Sequence, residues 1–342
     1  MDPLWAALAL FGAVSVGVYV LYGVFCSVSV LNSAVLDFNQ PGGPASLCSL
    51  SRFILRSLRS RAGHLNSDHS DHSAKEKQLL ITLINCRYEV VSLRRYCSVV
   101  GYGWDYPDST FRDIPLFYPQ FLCSRLISMV TCSLRFRLSP YGLLGVCQTV
   151  RLLKPLDELK RGTFSLQVGV EEYRSGGGGV EVDLSLSLRT AQQEEEGWSS
   201  TITLISPHTA YTHALQPHTT NDSKCERCIR VAVPWWASVM CGGPGFSLPL
   251  PSSLLGYGCP ATLWAVSRCL AETEKLKGAD AVRAPLTLTV RYRRPLHLPR
   301  AVSIRIRESS ASVHSSSDRS YTFTMEDDKA QTLILTGEMQ GL

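Results

Sequence analysis

Two alternating runs stand in the middle of the chain. In GTFSLQVGVEEY the residues Phe164, Leu166, Val168 and Val170 share one face; in VEVDLSLSLRT the residues Val180, Val182, Leu184, Leu186 and Leu188 share another. A period of two is that of a strand with one buried face. The glycines Gly176 to Gly179 between them predict a hairpin turn rather than a phosphate cradle, because a phosphate-binding loop leads from strand into helix. Upstream, IPLFYPQFLCSRLISMVTCSL carries a helical apolar face after Pro119, and YGLLGVCQTVRLLKPL predicts a buried strand. Before these, QLLITLINCRYEVVSLRRY fits either helix or strand by period. Beyond a loop at Glu194 to Glu196, WSSTITLIS predicts a further strand.

The same order then recurs. CPATLWAVSRCLAETEKL predicts a helix, and PLTLTVRYRRPLHLP, AVSIRIR, SYTFTM and QTLILTGEM predict strands, with Val302, Ile304 and Ile306 in alternation. A helix laid on an antiparallel sheet buries one face of each, and two such units can join edge to edge. The expected architecture is α+β, duplicated, with halves at 78–206 and 228–342 and a linker at 207–227.

The N-terminal stretch follows neither period. From Pro3 to Leu36 no charged residue occurs. A helix needs about 20 apolar residues to cross a bilayer, so residues 1–36 are expected to form a transmembrane helix. A cleaved signal peptide is the weaker alternative, since no Lys or Arg precedes the run and no small-x-small cleavage site follows it. In SRFILRSLRSR the residues Arg52, Arg56 and Arg59 fall at helical spacing. Basic residues beside a span stay on the cytoplasmic side. The expectation is therefore a single-pass membrane protein with a cytoplasmic body. Residues 37–77 then form a basic and polar juxtamembrane linker, either solvated or lying on the membrane surface.

Composition narrows the function. The net charge of +5 is small, and no basic stripe interleaved with aromatics appears, so no nucleic-acid partner is expected. The twelve cysteines are scattered, several of them in apolar runs, as buried thiols in a reducing compartment would be. Cys225 and Cys228 form CERC, with His208, His213 and His218 upstream; they are weak metal candidates, in a segment that reads best as a polar linker. His64, His69 and His72 read as a solvated loop. The sequence calls for no cofactor, and it contains no G-x-S-x-G, Walker or H-E-x-x-H motif.

Three stretches, in this order, resemble the MaoC-like double hot-dog family, which includes the R-specific enoyl-CoA hydratases. They are IPLFYPQFL with SPYGLLGVCQTVRLLKPL, then FSLPLPSSLLGYGCPATLWAVSRCLAE, then VRYRRPLHLP. The resemblance implies a double hot-dog fold whose first half is degenerate, and an acyl-CoA or other lipid-like ligand. In active relatives a loop like G-D-x-N-P-I-H supplies an Asp and a His that orient water, and a helix start polarises the thioester carbonyl. Carried onto this chain, the lost pair falls near Gly242 and at Phe246. Pro244 matches the proline, and Ala261 stands where the helix would open with His. Between Asp222 and Asp280 there is no His and no Asp; the carboxylates are Glu226, Glu272 and Glu274. The pocket is expected to be lined by Pro244, Phe246, Ser247, Tyr257, Ala261, Thr262 and Trp264. The expectation is a membrane-anchored, catalytically degenerate binder of acyl thioesters or lipids. The alternative is a hydratase or thioesterase using relocated groups such as Glu272, Ser247 or Thr262.

Overall fold

The computed structural model describes residues 15, 35–38, 56–57, 62–65, 79–103, 106, 113–133, 135–190, 196–208, 227–233, 260–296, 299–309 and 320–341. Its strands are β1 (Val35–Asp37), β2 (Leu80–Cys86), β3 (Leu144–Leu152), β4 (Phe164–Gly176), β5 (Gly179–Thr190), β6 (Trp198–Pro207), β7 (Arg227–Val233), β8 (Leu286–Tyr292), β9 (Arg300–Ser309), β10 (Ser320–Asp327) and β11 (Thr332–Gly341). The helices are α1 (Val90–Val100), α2 (Tyr118–Thr131) and α3 (Pro260–Lys277). The segment whose period fitted either element contains both, β2 followed by α1.

All eleven strands form one sheet, in the order β1-β2-β4-β5-β6-β3-β8-β11-β10-β9-β7. A duplication is legible in that order. Counted outward from the centre, one half runs first, fourth, third and second strand after its helix (β3, β6, β5, β4), then the strand before the helix (β2). The other half repeats this as β8, β11, β10, β9 and β7. The halves meet along β3 and β8, which pair antiparallel from Cys147 opposite Arg291 to Leu152 opposite Leu286.

The period-two residues do what their spacing requires. Leu166 and Val168 of β4, Val182, Leu184 and Leu186 of β5, and Val302, Ile304 and Ile306 of β9 are all buried. They belong to a single core with α1, α2 and α3. The opposite face carries Ser185, Thr201, Thr149, Thr289, Thr336 and Thr322, each partly exposed. β4 and β5 form the hairpin expected at the four glycines, closing from Gly176 to Gly179.

The expected membrane anchor is corrected. Among the described residues no helix is long and apolar enough to cross a membrane. At the end of the apolar run, Val35 and Leu36 belong to β1, which pairs in parallel with β2. The rest of that run, apart from Ser15, lies outside the described residues. A count of apolar residues does not separate a spanning helix from other apolar chain, and here its end is strand. The fold is therefore stated without a transmembrane helix, and the membrane partner, single-pass location and cytoplasmic body inferred from it are withdrawn.

The basic stretch has a different role at Arg56. Its side chain is buried, and its guanidinium donates to the carbonyls of Thr131 (3.3 Å), Ser133, Phe136 and Leu138 (3.1 Å). It thus closes the C-terminal end of α2, where the last carbonyls of a helix have no partner within it and a positive charge is favoured. Burial lowers the Arg56 pKa.

Candidate functional site

The first turns of α3 hold the sequence-predicted site residues that are described: Ala261, Thr262 and Trp264. Thr262 is half-buried and Trp264 is buried, its indole donating to the Val99 carbonyl of α1 at 2.9 Å. Gly242, Pro244, Phe246, Ser247 and Tyr257 lie outside the described residues. Cys225 does too, whereas Cys228 is exposed on the edge strand β7. Of CERC, Arg227 and Cys228 begin β7, at the boundary between the expected linker and the second half. Among the described residues, no group of three or more His, Cys, Asp or Glu side chains could hold a metal ion.

Further along α3 the inward polar groups are engaged with protein. Ser267, fully buried, accepts from the Tyr96 hydroxyl of α1 at 2.8 Å. Thr273 donates to the Cys269 carbonyl one turn earlier. Glu274 is buried and accepts from the Tyr106 hydroxyl at 3.1 Å. Glu272, one of the relocated groups considered above, pairs with Arg268 at 2.7 Å and Lys275 at 3.1 Å. Two cations occupy this one carboxylate. Cys269 offers no thiolate, because burial pushes its thiol well above the ordinary range.

A second polar group lies where the halves meet. Gln148 of β3 is fully buried and donates to the Gln120 side-chain oxygen on α2 and to Ser200 Oγ on β6 (2.9 Å). Its own oxygen accepts from the Tyr292 hydroxyl of β8 at 2.8 Å. The network is neutral, and it links α2 to strands of both halves. Such a set can hold a carbonyl or a water but has no group that exchanges protons near neutral pH. Its signal was in the sequence: Gln148 shares its strand face with Val150 and Leu152, where an apolar residue is expected.

A carboxyl pair lies ahead of α2. Asp113 accepts from the backbone N–H of Ile114 (2.8 Å) and of Leu156 (3.1 Å). Burial, and then the neighbouring Asp157, push its pKa up to about 6. Asp157 is itself paired with Lys160 at 2.7 Å.

No family model matches the chain, and no curated protein matches it either. Solved structures do. HtdX of Mycobacterium tuberculosis superposes over 77% of this chain and 100% of its own, at 15% identity and a TM-score of 0.54. A MaoC-like dehydratase from Phytophthora capsici covers 77% of this chain and 95% of its own, at 15% identity and a TM-score of 0.59. Peroxisomal multifunctional enzyme type 2 of Drosophila melanogaster matches over 76% of this chain and 47% of its own, at 10% identity and a TM-score of 0.51. At such identities the likeness carries the fold, and the fold of this chain is the double hot-dog of the MaoC-like dehydratases.

Proposed function

We propose that the protein binds an acyl thioester, or a lipid-like ligand of similar shape, without hydrating it. The observation carrying this reading is the chemistry around α3. On a fold shared with MaoC-like dehydratases, that helix carries Ala261 and Thr262 in its first turn, and no His or Asp occurs from residue 223 to 279. Conjugate addition of water needs one proton removed and one delivered, and losing one such group lowers the rate by about 10²–10⁴. The carboxylates that remain on α3 are held by Arg268, Lys275 and Tyr106.

The test uses the full chain. Saturated acyl-CoAs of increasing chain length are titrated calorimetrically, and a trans-2-enoyl-CoA is incubated with the protein while hydrated and hydrolysed products are followed by mass spectrometry. Saturable binding with neither product supports the reading. Hydration or hydrolysis that disappears on substitution within residues 244–262 overturns it in favour of an enzyme with relocated groups.

A further inference from the structure

Six of the eight histidines fall in two short stretches: His64, His69 and His72, then His208, His213 and His218. The fold brings the leading residue of each stretch together. The rings of His64 and His208 lie with centroids 5.4 Å apart and planes inclined at 56°. Both residues are exposed.

The backbone around them explains the placement. His208 follows the end of β6, and its N–H donates to the Gly178 carbonyl at 3.4 Å. Gly63 donates its N–H to the Oγ of fully buried Ser206 at 2.8 Å. Gly63 has φ +81°, and a Cβ there would come within 2.6 Å of the His208 Cα. Glycine is required on both counts, the left-handed conformation and the close approach. The result sets His64 beside His208 on the end of a sheet strand.

We propose that His64 and His208 form a two-imidazole site for a divalent transition-metal ion, Zn²⁺ in the first instance. Zinc binds imidazole nitrogen at about 2.0–2.1 Å in tetrahedral geometry; ring centroids then lie about 3.2 Å from the metal and about 5.2 Å from each other. The observed 5.4 Å is close to that spacing. Imidazole nitrogen is also the donor that ions of this softness select. With two protein ligands the remaining positions are open to water, unlike the closed four-ligand set of a structural zinc site. Because the ligands come from residues 62–65 and from the end of β6, a bound ion would clip the N-terminal stretch to the first half and raise stability by mass action.

Calorimetric titration of the full chain with Zn²⁺, together with thermal unfolding with and without the ion, tests the site. The expected result is saturable uptake and a raised melting temperature. H64Q and H208Q should each weaken binding by more than the roughly 10–100-fold typical of losing an outer-sphere partner, and neither exposed substitution should lower the metal-free melting temperature. Unchanged affinity in the H64Q/H208Q double variant overturns the site. So does affinity that follows substitution of His69, His72, His213 and His218 instead, or no uptake by the unmodified chain.

Discussion

In the first half α2 stops against an arginine from far back in the chain, while in the second half α3 stops on residues of its own. Arg56 reaches the end of α2 across 75 residues to the Thr131 carbonyl, and the last turn of α2 has no basic residue. The last turn of α3 contains Lys275 and Lys277, and Gly278 follows with φ +89°, its N–H donating to the Glu274 carbonyl at 2.8 Å. The two halves share a strand order, and α2 is also closed locally, by the N–H groups of Cys132 and Ser133 on the Ser128 and Val130 carbonyls, yet only α2 adds a partner from far back in the chain. A duplicated topology therefore leaves each half free to satisfy its helix ends separately.

The strongest way to break this comparison is at Arg56. R56M removes the donor to four carbonyls and should destabilise the protein by about 3 kcal/mol or more, since hydrogen bonds to charged groups are worth about 1.5–3 kcal/mol each and are not additive. R56K should recover little, because an ammonium cannot span carbonyls that a planar fork reaches. Urea unfolding measures both; a loss below about 1 kcal/mol for R56M would show that α2 ends without Arg56.

Next comes the place where the halves join. Q148L leaves the Tyr292 hydroxyl, Ser200 and the Gln120 oxygen without their shared partner. The expected loss is about 2 kcal/mol, the scale of stranding buried polar groups. Y292F removes one donor only and should lose about 1 kcal/mol. If Q148L is neutral or stabilising, the amide network does not hold the halves in register.

The carboxyl pair ahead of α2 gives the first half a pH dependence with an unusual sign. Asp113 has a folded-state pKa near 6, raised by burial and Asp157 from an ordinary 3.8. The folded protein therefore binds that proton more readily than the unfolded chain, and stability from this group rises as pH falls from about 6 toward about 4. D157N should raise stability by about 1–2 kcal/mol at about pH 7.5, once partial exposure is discounted, with a smaller gain at about pH 4.5. Chemical denaturation of both proteins across that range reads the difference. Parallel pH curves would mean that Asp157 does not act on Asp113.

What could be read in advance follows the same division between local and distant. The alternating strands, the two long helices and the four-glycine hairpin each rest on residues a few positions apart, and period alone reaches them. β1 and β7 are edge strands paired on β2 and β9 alone; β1, three residues long, is too short to carry a period, whereas β7 carries one in Ile229, Val231 and Val233, beside the polar segment expected as linker. The membrane expectation failed for a related reason, because an apolar run states how much surface must be hidden but not what hides it. At the candidate site the identities of Ala261 and Thr262 were legible, and so was the lack of His and Asp around them. The partners of Glu272 and Glu274 divide along the same line. Arg268 and Lys275 lie within a turn of Glu272, whereas Tyr106 comes to Glu274 from 168 residues away.

The last test sharpens the comparison from the second half. Gly278 follows α3 at φ +89° and ψ 169°, a region nearly confined to glycine, and a Cβ built on it meets nothing within 4 Å. Alanine would therefore meet no neighbour, and its effect isolates backbone strain, about 1–3 kcal/mol for a non-glycine residue held in that region. G278A should lower stability by that amount and leave α3 intact, as the positive charges of Lys275 and Lys277 remain in its last turn. Set beside R56M, this compares a helix end made by its own next residue with one to which an arginine from another part of the fold is added. Equal losses in the two variants would mean that distance along the chain does not decide how much a helix end depends on its partner.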